Sequence, residues 1–569
     1  MRNWFGWVMG LVVVLVGCSP MDSGSIDIDS TAVSSSPLSA PTQPITIFTA
    51  PLSPTPGCTD SFATRTLPHT TQVHGEAVRM FETNGSGVAV NDLDGDGYLD
   101  MVFANLNGSP SIFWNDGGLS FRQETLADNG TRAVNVVDVD GNGRLDIVFT
   151  HVKSSLSLWQ NQLGADGMVT FVHKGIPGVL KQAHSMAWGD LNGDGRLDLV
   201  TGSYDAELHR ELGDAFLFSG GVGVYSYLQE ENGRFSPQRL AEESQALTIA
   251  LVDVSGDGQR DIVVGNDFDF PDQVWFNNGA AGWEAAAPFA HTSHSTMSLD
   301  WGDVDNNGRF ELFSTDMNPY DISVENMARW LPMMDEMPHR IPNDDPQLTQ
   351  NVLQVWESAA DEKNGRFANR APRQGIAASG WSWSGKFGDL DNDGHLDLYV
   401  VNGMIDSQLF AYLPNNELVE ENQAFRNTGR DSFDLAPEWG MGSTASGRGL
   451  VLADLDNDGD LDAVINNLLS PAQLLENQLC GGQSIEIDLR WPGSPNSHAL
   501  GAQLRLVTSD GTQWRDVRSG SGYLSGDATR IHFGFADDAV PAYLEIIWPD
   551  GAVSLVETIT PDTLITVVR

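Results

Sequence analysis

The hydrophobic positions of the chain fall into short β-branched runs that recur on both sides of one acidic pattern. Gly87-Val-Ala-Val90 precedes the first copy and Leu99-Asp-Met-Val-Phe103 follows it. Later copies are followed by Leu145-Asp-Ile-Val-Phe149, Leu197-Asp-Leu-Val200, Asp261-Ile-Val-Val264, Leu396-Asp-Leu-Tyr-Val400 and Leu461-Asp-Ala-Val-Ile465. Runs this short, apolar at successive positions, predict strands buried on both faces. A second apolar segment, a polar turn and often a Phe come next. Ser111-Ile-Phe-Trp114 leads through Asn-Asp-Gly-Gly to Phe121, and Tyr225-Ser-Tyr-Leu228 leads through an Asn-Gly turn to Phe235. Asn-Gly and Asp-Gly between apolar runs are hairpin signals. Each unit therefore predicts strand, acidic loop, strand, strand, turn, strand.

The acidic loop itself carries chemistry. In Asp92-Leu-Asp94-Gly-Asp96-Gly97-Tyr98-Leu-Asp100, acids stand at positions 1, 3, 5 and 9, with glycine at position 6 where the chain must turn. Six variants follow. Their corresponding residues are Asp138, Asp140, Asn142 and Asp146; Asp190, Asn192, Asp194 and Asp198; Asp253, Ser255, Asp257 and Asp261; Asp303, Asp305, Asn307 and Glu311; Asp389, Asp391, Asp393 and Asp397; and Asp454, Asp456, Asp458 and Asp462. Ca²⁺ takes about six to eight hard oxygens, and alternate side chains of a tight loop can converge on one ion. Position 7 varies freely (Tyr98, Arg144, Gln259, His395), which fits a ligand supplied by its backbone carbonyl. An EF-hand loop starts the same way but ends on Glu at position 12 between helices, whereas these flanks are strand-like. A single such turn would be an ordinary acidic hairpin, but seven copies, acidic at position 9 each time, predict up to seven structural calcium ions.

Loop starts are separated by 46, 52, 63, 50, 86 and 65 residues. A four-stranded propeller blade takes about 40–50 residues, so the longer intervals hold insertions. The pattern predicts an all-β fold: a seven-bladed β-propeller with calcium-binding blade hairpins over 63–480, followed by a small β domain over 481–569. The units resemble the FG-GAP/VCBS repeats of integrin alpha-chain propellers and of bacterial surface proteins, which implies calcium between a blade's first two strands. The last unit runs out near Asn477 without a fourth strand, while Ala77-Val-Arg-Met-Phe81 has no blade of its own. That segment is expected to complete the seventh blade, leaving no long open edge.

The N-terminus changes the picture from fold to location. Arg2 precedes an apolar run from Trp4 to Gly17, too short for the roughly 20 residues of a spanning helix but suited to a signal peptide. Leu15-Val-Gly-Cys18 resembles a bacterial lipobox. The resemblance implies a signal peptide over 1–17, lipidation of Cys18 and an exported lipoprotein held to a membrane by its lipid, with Ser19 resembling the outer-membrane sorting position. Residues 18–62 are Ser/Thr/Pro-rich and are expected to form a tether. Cys58 and Cys480 then flank the repeats in a disulfide-permissive compartment, and a bridge between them would close the ring. A net charge of −46 excludes nucleic acid and an anionic lipid surface as partners. Seven Ca²⁺ would bring it to about −32, so calcium should stabilise the protein by linkage.

After Cys480, Ser484–Arg490, Gln503–Val507 and Tyr543–Ile547 alternate as strands. The segment resembles the ASPIC/UnbV domain in Asn496, Ala499-Leu-Gly-Ala502, Arg518-Ser-Gly-Ser-Gly-Tyr523-Leu-Ser-Gly526, His532-Phe-Gly-Phe535 and Trp548-Pro-Asp-Gly551. Ser497-His498 stands where that family usually has an Asn-Arg-like pair, and Phe535 stands where Leu-Gly is usual. Repeats plus this domain resemble the cartilage acidic protein family, which implies a calcium-binding extracellular protein and supplies no catalytic residue.

Other features carry less. The insertion around Met327, Trp330, Leu331, Met333, Met334 and Met337 is expected to pack a small helix on the scaffold, on a surface suited to a ligand. Gly380-Trp-Ser-Trp-Ser-Gly-Lys386 approximates a P-loop, but Phe387 replaces its Ser/Thr and no helix follows. His291 and His294 fit an exposed turn. With no nucleophile–base pairing in view, the expectation is a non-enzymatic surface module binding protein or polysaccharide. The alternatives are a propeller enzyme acting on an extracellular polymer, or an outer-membrane assembly or transport accessory subunit. Oligomeric state is not legible.

Overall fold

In the computed structural model, every acidic loop is the hairpin between two antiparallel strands, and position 9 is the first residue of the second strand. The structure describes residues 42–54, 57–164, 167–217, 222–268, 270–336, 346–357, 366–430 and 432–569. The signal peptide, Cys18, most of the tether and Met337 lie outside the described residues. Each hairpin begins a sheet of four strands laid side by side, and the sixth gains a short fifth, Met317–Asn318, beside its first strand. Sheet one is Val88–Asn91, Asp100–Phe103, Ser111–Asn115 and Phe121–Thr125. Its first two strands are wholly buried and its last is largely exposed, as expected if each sheet runs outward from a central axis.

Among the described residues, seven sheets follow this plan. The first strands of sheets two to seven are Thr131–Val137, Ser185–Gly189, Ala246–Val252, Ser298–Gly302, Gly380–Gly388 and Gly447–Ala453. Each lies against the first strand of the next sheet, and that of the seventh lies against that of the first. The result is nearly all-β, a cyclic succession of sheets consistent with a propeller.

The seventh sheet, Gly447–Ala453, Asp462–Asn467 and Pro471–Glu476, takes its fourth strand from Ala63–Thr70. The segment expected in that place, Ala77–Phe81, leads instead into a 3-10 turn at Glu82–Asn84. There the Glu82 carboxylate accepts the N–H groups of His74 (2.9 Å) and Arg79 (3.1 Å). Ala63–Thr70 hides in the sequence because, as an outermost strand, it buries only Leu67 and His69. Pro68 is tolerated there because the strand is an edge with a register break between Leu67 and Thr70. A Cys58–Cys480 disulfide, Cα to Cα 5.2 Å, ties the lead-in of this strand to the chain leaving the strand beside it.

The C-terminal region forms two four-stranded sheets. One orders Thr512–Asp516, Gln503–Thr508, Pro541–Ile547 and Val553–Val556. The other places Gln483–Arg490 between Ile531–Phe535 and Thr563–Val568, with Thr46–Pro51 on its edge. This corrects the expected tether: residues 46–51 are a strand of the C-terminal domain. Its six residues are all exposed, so backbone pairing alone holds it and no hydrophobic alternation betrays it.

The insertion after sheet three's second strand folds into Asp205–Leu212 and a short turn of helix at Asp214–Leu217. The Met-rich insertion forms the helix Val324–Glu336, which buries Trp330 and Met333 against the scaffold while Leu331 stays exposed. Gly380–Lys386 is part of a fully buried first strand, not a phosphate loop. His291 is exposed, and His294 donates its N–H to Asp316 (2.8 Å).

Candidate calcium centres and the capped loop face

The loops are built around their position-1 and position-9 carboxylates. Asp92 accepts the N–H groups of Gly95 (2.8 Å) and Gly97 (3.1 Å), which curls the loop back over its own start. Asp100 accepts Leu93 N–H (2.9 Å) with one oxygen and Asn115 N–H (2.8 Å) with the other, fastening loop, second strand and third strand together. The same two bonds recur at Asp146, Asp198, Asp397 and Asp462. Glycine at position 6 has φ between 82° and 94° in all seven loops, where a side chain would be strained.

The donor set suits a hard divalent cation. Carboxylate oxygens within 4.8 Å of one another converge in Asp92, Asp94 and Asp96; Asp138, Asp140 and Asp146; Asp303, Asp305 and Glu311; Asp389, Asp391 and Asp397; and Asp454, Asp456 and Asp462. The loops at Asp190 and Asp253, with Asn192 and Ser255 at position 3, do not form such a triplet. One buried oxygen each of Asp391, Asp456 and Asp458 lacks any partner among the described residues. Burial, reinforced by neighbouring acids, pushes Asp100 up to about 8 and Asp146, Asp198 and Asp303 to about 7. Glu311, buried beside Asp305, rises to about 9. Crowded, desolvated acids with orphaned oxygens are what calcium would satisfy. The residues present therefore fit the ion, which would supply the positive charge that lets all of them ionise.

Two further sets of side chains, unforeseen in the sequence, link neighbouring loops around the ring, the fourth and fifth excepted. The first is an amide on the third strand of six of the seven sheets, the fifth excepted. Asn115 Nδ2 donates to Leu99 O (3.1 Å) in its own sheet and to Leu455 O (2.7 Å) in the seventh. Asn161 reaches Leu93 O, Gln229 reaches Val139 O, and Asn277 reaches Leu191 O. Asn427 reaches Val304 O and Asn477 reaches Leu390 O. Each clasps the position-2 carbonyl of the preceding loop. The sequence carried a signal: Asn115, Asn161 and Asn477 each follow position 9 by 15 residues. The second set stands at position 4 of the last three loops. Asn306, Asn392 and Asn457 adopt positive φ (57°, 54° and 58°) and donate to the position-6 carbonyls of the next loop, Gly394, Gly459 and Gly97.

The C-terminal domain covers this face. Ser497 Oγ donates to Asp138 (2.6 Å), Arg530 to Gly97 O (2.9 Å), and His532 Nε2 to Gly459 O (3.0 Å). Ser497, where the ASPIC/UnbV pattern usually differs, thus reaches a loop carboxylate. From this cap, Arg518–Asp527 descends between the first strands. Gly526 pairs with Val88 and Val90 of sheet one, Leu524 O accepts Val134 N–H of sheet two, and Ser519 bonds both backbone groups of Trp188 in sheet three. Gly522 accepts Thr248 Oγ1 of sheet four and donates to Leu299 O of sheet five; Tyr523 N–H meets Ser384 of sheet six. Lys386, from the P-loop-like stretch, is paired with Asp527. Gly87 has no room for a β-carbon, which would stand 1.8 Å from Leu524 O. The segment fills the axis of the sheets as a plug.

Repeated calcium-type hairpins in a cycle and a plugging C-terminal domain define the class, and sequence comparison agrees. Residues 92–149, 138–201, 253–314 and 348–400 match the FG-GAP-like repeat, and residues 492–569 match ASPIC and UnbV. The chain is thus an FG-GAP-repeat protein with a C-terminal ASPIC/UnbV domain. Among curated proteins it is similar to cartilage acidic protein 1 of Homo sapiens, 30% identical over 173 residues, and of Xenopus tropicalis, 31% identical over 176. These alignments cover 29% of this chain and 24% and 25% of those proteins, so the chain spans about a quarter of the length of the relatives it matches. Among solved structures, BBS1N in complex with ARL6DN aligns at TM-score 0.38 and 10% identity, covering 68% of this chain and 91% of that one. Rhamnogalacturonan lyase YesW aligns at 0.34 and 12%, covering 76% of each. Likeness this slight bears on neither fold nor function.

Proposed function

We propose that the chain is a calcium-loaded, seven-bladed β-propeller, exported and lipid-anchored at Cys18, that acts by binding rather than catalysis. The observation that carries this reading is the set of linked loops: carboxylates converge in five of them, and amide clasps tie six of the seven sheets to the preceding loop, the first sheet to the seventh included. Calcium held by positions 1, 3, 5 and 9, with the position-7 carbonyl, would fix each hairpin and through the clasps its neighbour. The loops then hold the ring in shape, and the C-terminal domain occupies the loop face and the axis. Ligand contact falls to the opposite face, where the connections between sheets and both helical insertions emerge. A protein or polysaccharide at the cell surface is the class of ligand such an anchored module meets.

The test is a calcium titration of chelator-stripped protein, followed by calorimetry and by thermal unfolding. Binding of several ions with a melting temperature that climbs with calcium supports the reading. Unfolding that ignores calcium up to millimolar concentrations would sink it. Mass spectrometry of the mature N-terminus tests the anchor, and an unmodified Cys18 in exported protein would overturn that part alone.

A further inference from the structure

The face opposite the loops carries a cavity of about 390 Å³ between the chain at residues 74–82, the ends of sheets one and two, and the helix Asp205–Leu212. Its lining runs against the character of the chain. In a protein of net charge −46, Arg79, Arg132, Lys153 and Arg210 all face one small volume. Lys153 is paired with Glu211 (2.6 Å), and Arg132, 1% exposed, is paired with Glu207. Arg132 Nε, however, has no partner. Arg79 and Arg210 are exposed and make no ion pair among the described residues. The Arg210 guanidinium lies 5.5 Å over the Phe81 ring, which holds it at the cavity rim.

Free guanidinium groups beside a concave surface are suited to a planar carboxylate. The volume falls within the roughly 300–1,000 Å³ of small-molecule sites, more than an inorganic anion fills. Acceptors line the same space: the Glu82 and Glu211 carboxylates suit hydroxyl donors. A ligand that brings one carboxylate and several hydroxyls answers both halves of the lining. We propose that this cavity binds a uronic acid residue of an acidic polysaccharide, its carboxylate toward Arg79 and Arg210 and its hydroxyls toward the acids. The proposal deepens the binding-module reading and rests on it for the ligand-facing role of this surface.

The experiment is calorimetric titration of the full, calcium-saturated chain with disaccharides ending in glucuronate or galacturonate, with a neutral galactose disaccharide and with inorganic phosphate. A uronide should bind at least tenfold more tightly than the neutral sugar and than phosphate. The affinity should fall as salt rises. The double variant Arg79→Gln/Arg210→Gln should lose at least tenfold, with an unchanged melting temperature because both side chains are exposed. Lys153→Glu, placed across the cavity, should weaken binding in the same direction. Equal affinity for acidic and neutral sugars, phosphate binding as tightly as the uronide, no uronide binding at millimolar concentration, or an unaffected double variant would each overturn the proposal. Melting curves with and without calcium on the same samples keep the two readings apart. A chain that ignores calcium yet binds uronide refutes the calcium centres alone, and a calcium-stabilised chain that binds no uronide refutes the cavity alone.

Discussion

Replacing Asn115 by Ala removes the clasp between the first and seventh sheets. Its side chain is 2% exposed. Nδ2 donates to Leu99 O at 3.1 Å and Leu455 O at 2.7 Å, and Oδ1 accepts Gly117 N–H at 3.0 Å. The backbone N–H bond to Asp100 survives the substitution. Gly117 is partly solvated and finds water, so the loss concentrates on two carbonyls. A buried group left without its partner costs about 1–3 kcal/mol, which puts Asn115→Ala, with two carbonyls orphaned, at about 2–6 kcal/mol. Urea unfolding in saturating calcium, followed by tryptophan fluorescence, measures it as a shift in midpoint at constant slope. Asn115→Asp gives the sharper contrast: it keeps the acceptor and the shape but turns both donors into a carboxylate facing a carbonyl. Near neutral pH it should cost more than the alanine. A loss below about 0.5 kcal/mol for Asn115→Ala, or an aspartate variant as stable as wild type, would refute the clasp as a source of ring stability.

Three other outcomes follow from the same geometry. Asp94→Ala removes a position-3 carboxylate and should cut the calcium-dependent rise in melting temperature, since one site at a hundredfold excess over Kd contributes about 2.7 kcal/mol; an unchanged rise in differential scanning calorimetry would count against that site. In calcium-free protein, Asp100 at about 8 and Glu311 at about 9 sit above their ordinary 3.8 and 4.5, so the native state holds the extra protons. The contribution of these acids to stability should be fully present below about pH 4 and be lost as pH rises toward 8–9, a trend calcium should abolish with proton release; calcium-free stability that is flat or rising between about pH 5 and 9 would contradict the burial of these acids. Gly87→Ala would drive a β-carbon into Leu524 O and should expel the plug, exposing residues 518–527 to protease and hydrogen exchange; unchanged protection there would show that the plug can yield.

How far the fold could be read followed how far each element announces itself by burial. First and second strands are buried on both faces, so Val88–Asn91 and Asp100–Phe103 stand out as apolar runs around a fixed acidic spacing. Outermost strands do not. Ala63–Thr70 and Thr46–Pro51 are mostly exposed and are held by backbone pairing to partners more than 400 residues away, which no local pattern reports. Hence Ala77–Phe81, with its apolar Val78, Met80 and Phe81, looked the better closing strand. The loop carboxylates were legible because one spacing of acids, the one a calcium loop would require, recurs seven times. The amides that join the loops were visible as a recurrence, but their partners lie one sheet away and only the fold identifies them. The plug was legible as a motif and silent as to place, because its glycines record close approach without saying to what.

The loops do more than staple their own hairpins. The carbonyl of Gly97 accepts from Asn457 of the preceding loop and from Arg530 of the C-terminal domain, and Gly459 O accepts from Asn392 and His532. Position 6 can offer its carbonyl to both only while the loop keeps its curl, and that curl is set by the position-1 carboxylate bonded to the glycine's own N–H. The domain's charge points the same way. Arg515 is lowered by its burial, while Asp389 and Asp303 of two neighbouring loops work to keep it charged. The arginines of the cap are thus one source of positive charge for the loop acids, and a bound cation would be a second. A cation that fixes the loops therefore also fixes the surface on which the cap rests, and the plug follows because it is an extension of the cap. On the proposed calcium reading, hairpin geometry, ring closure and occupation of the axis would be coupled through the position-6 carbonyls, and the uncovered face would be left to a ligand.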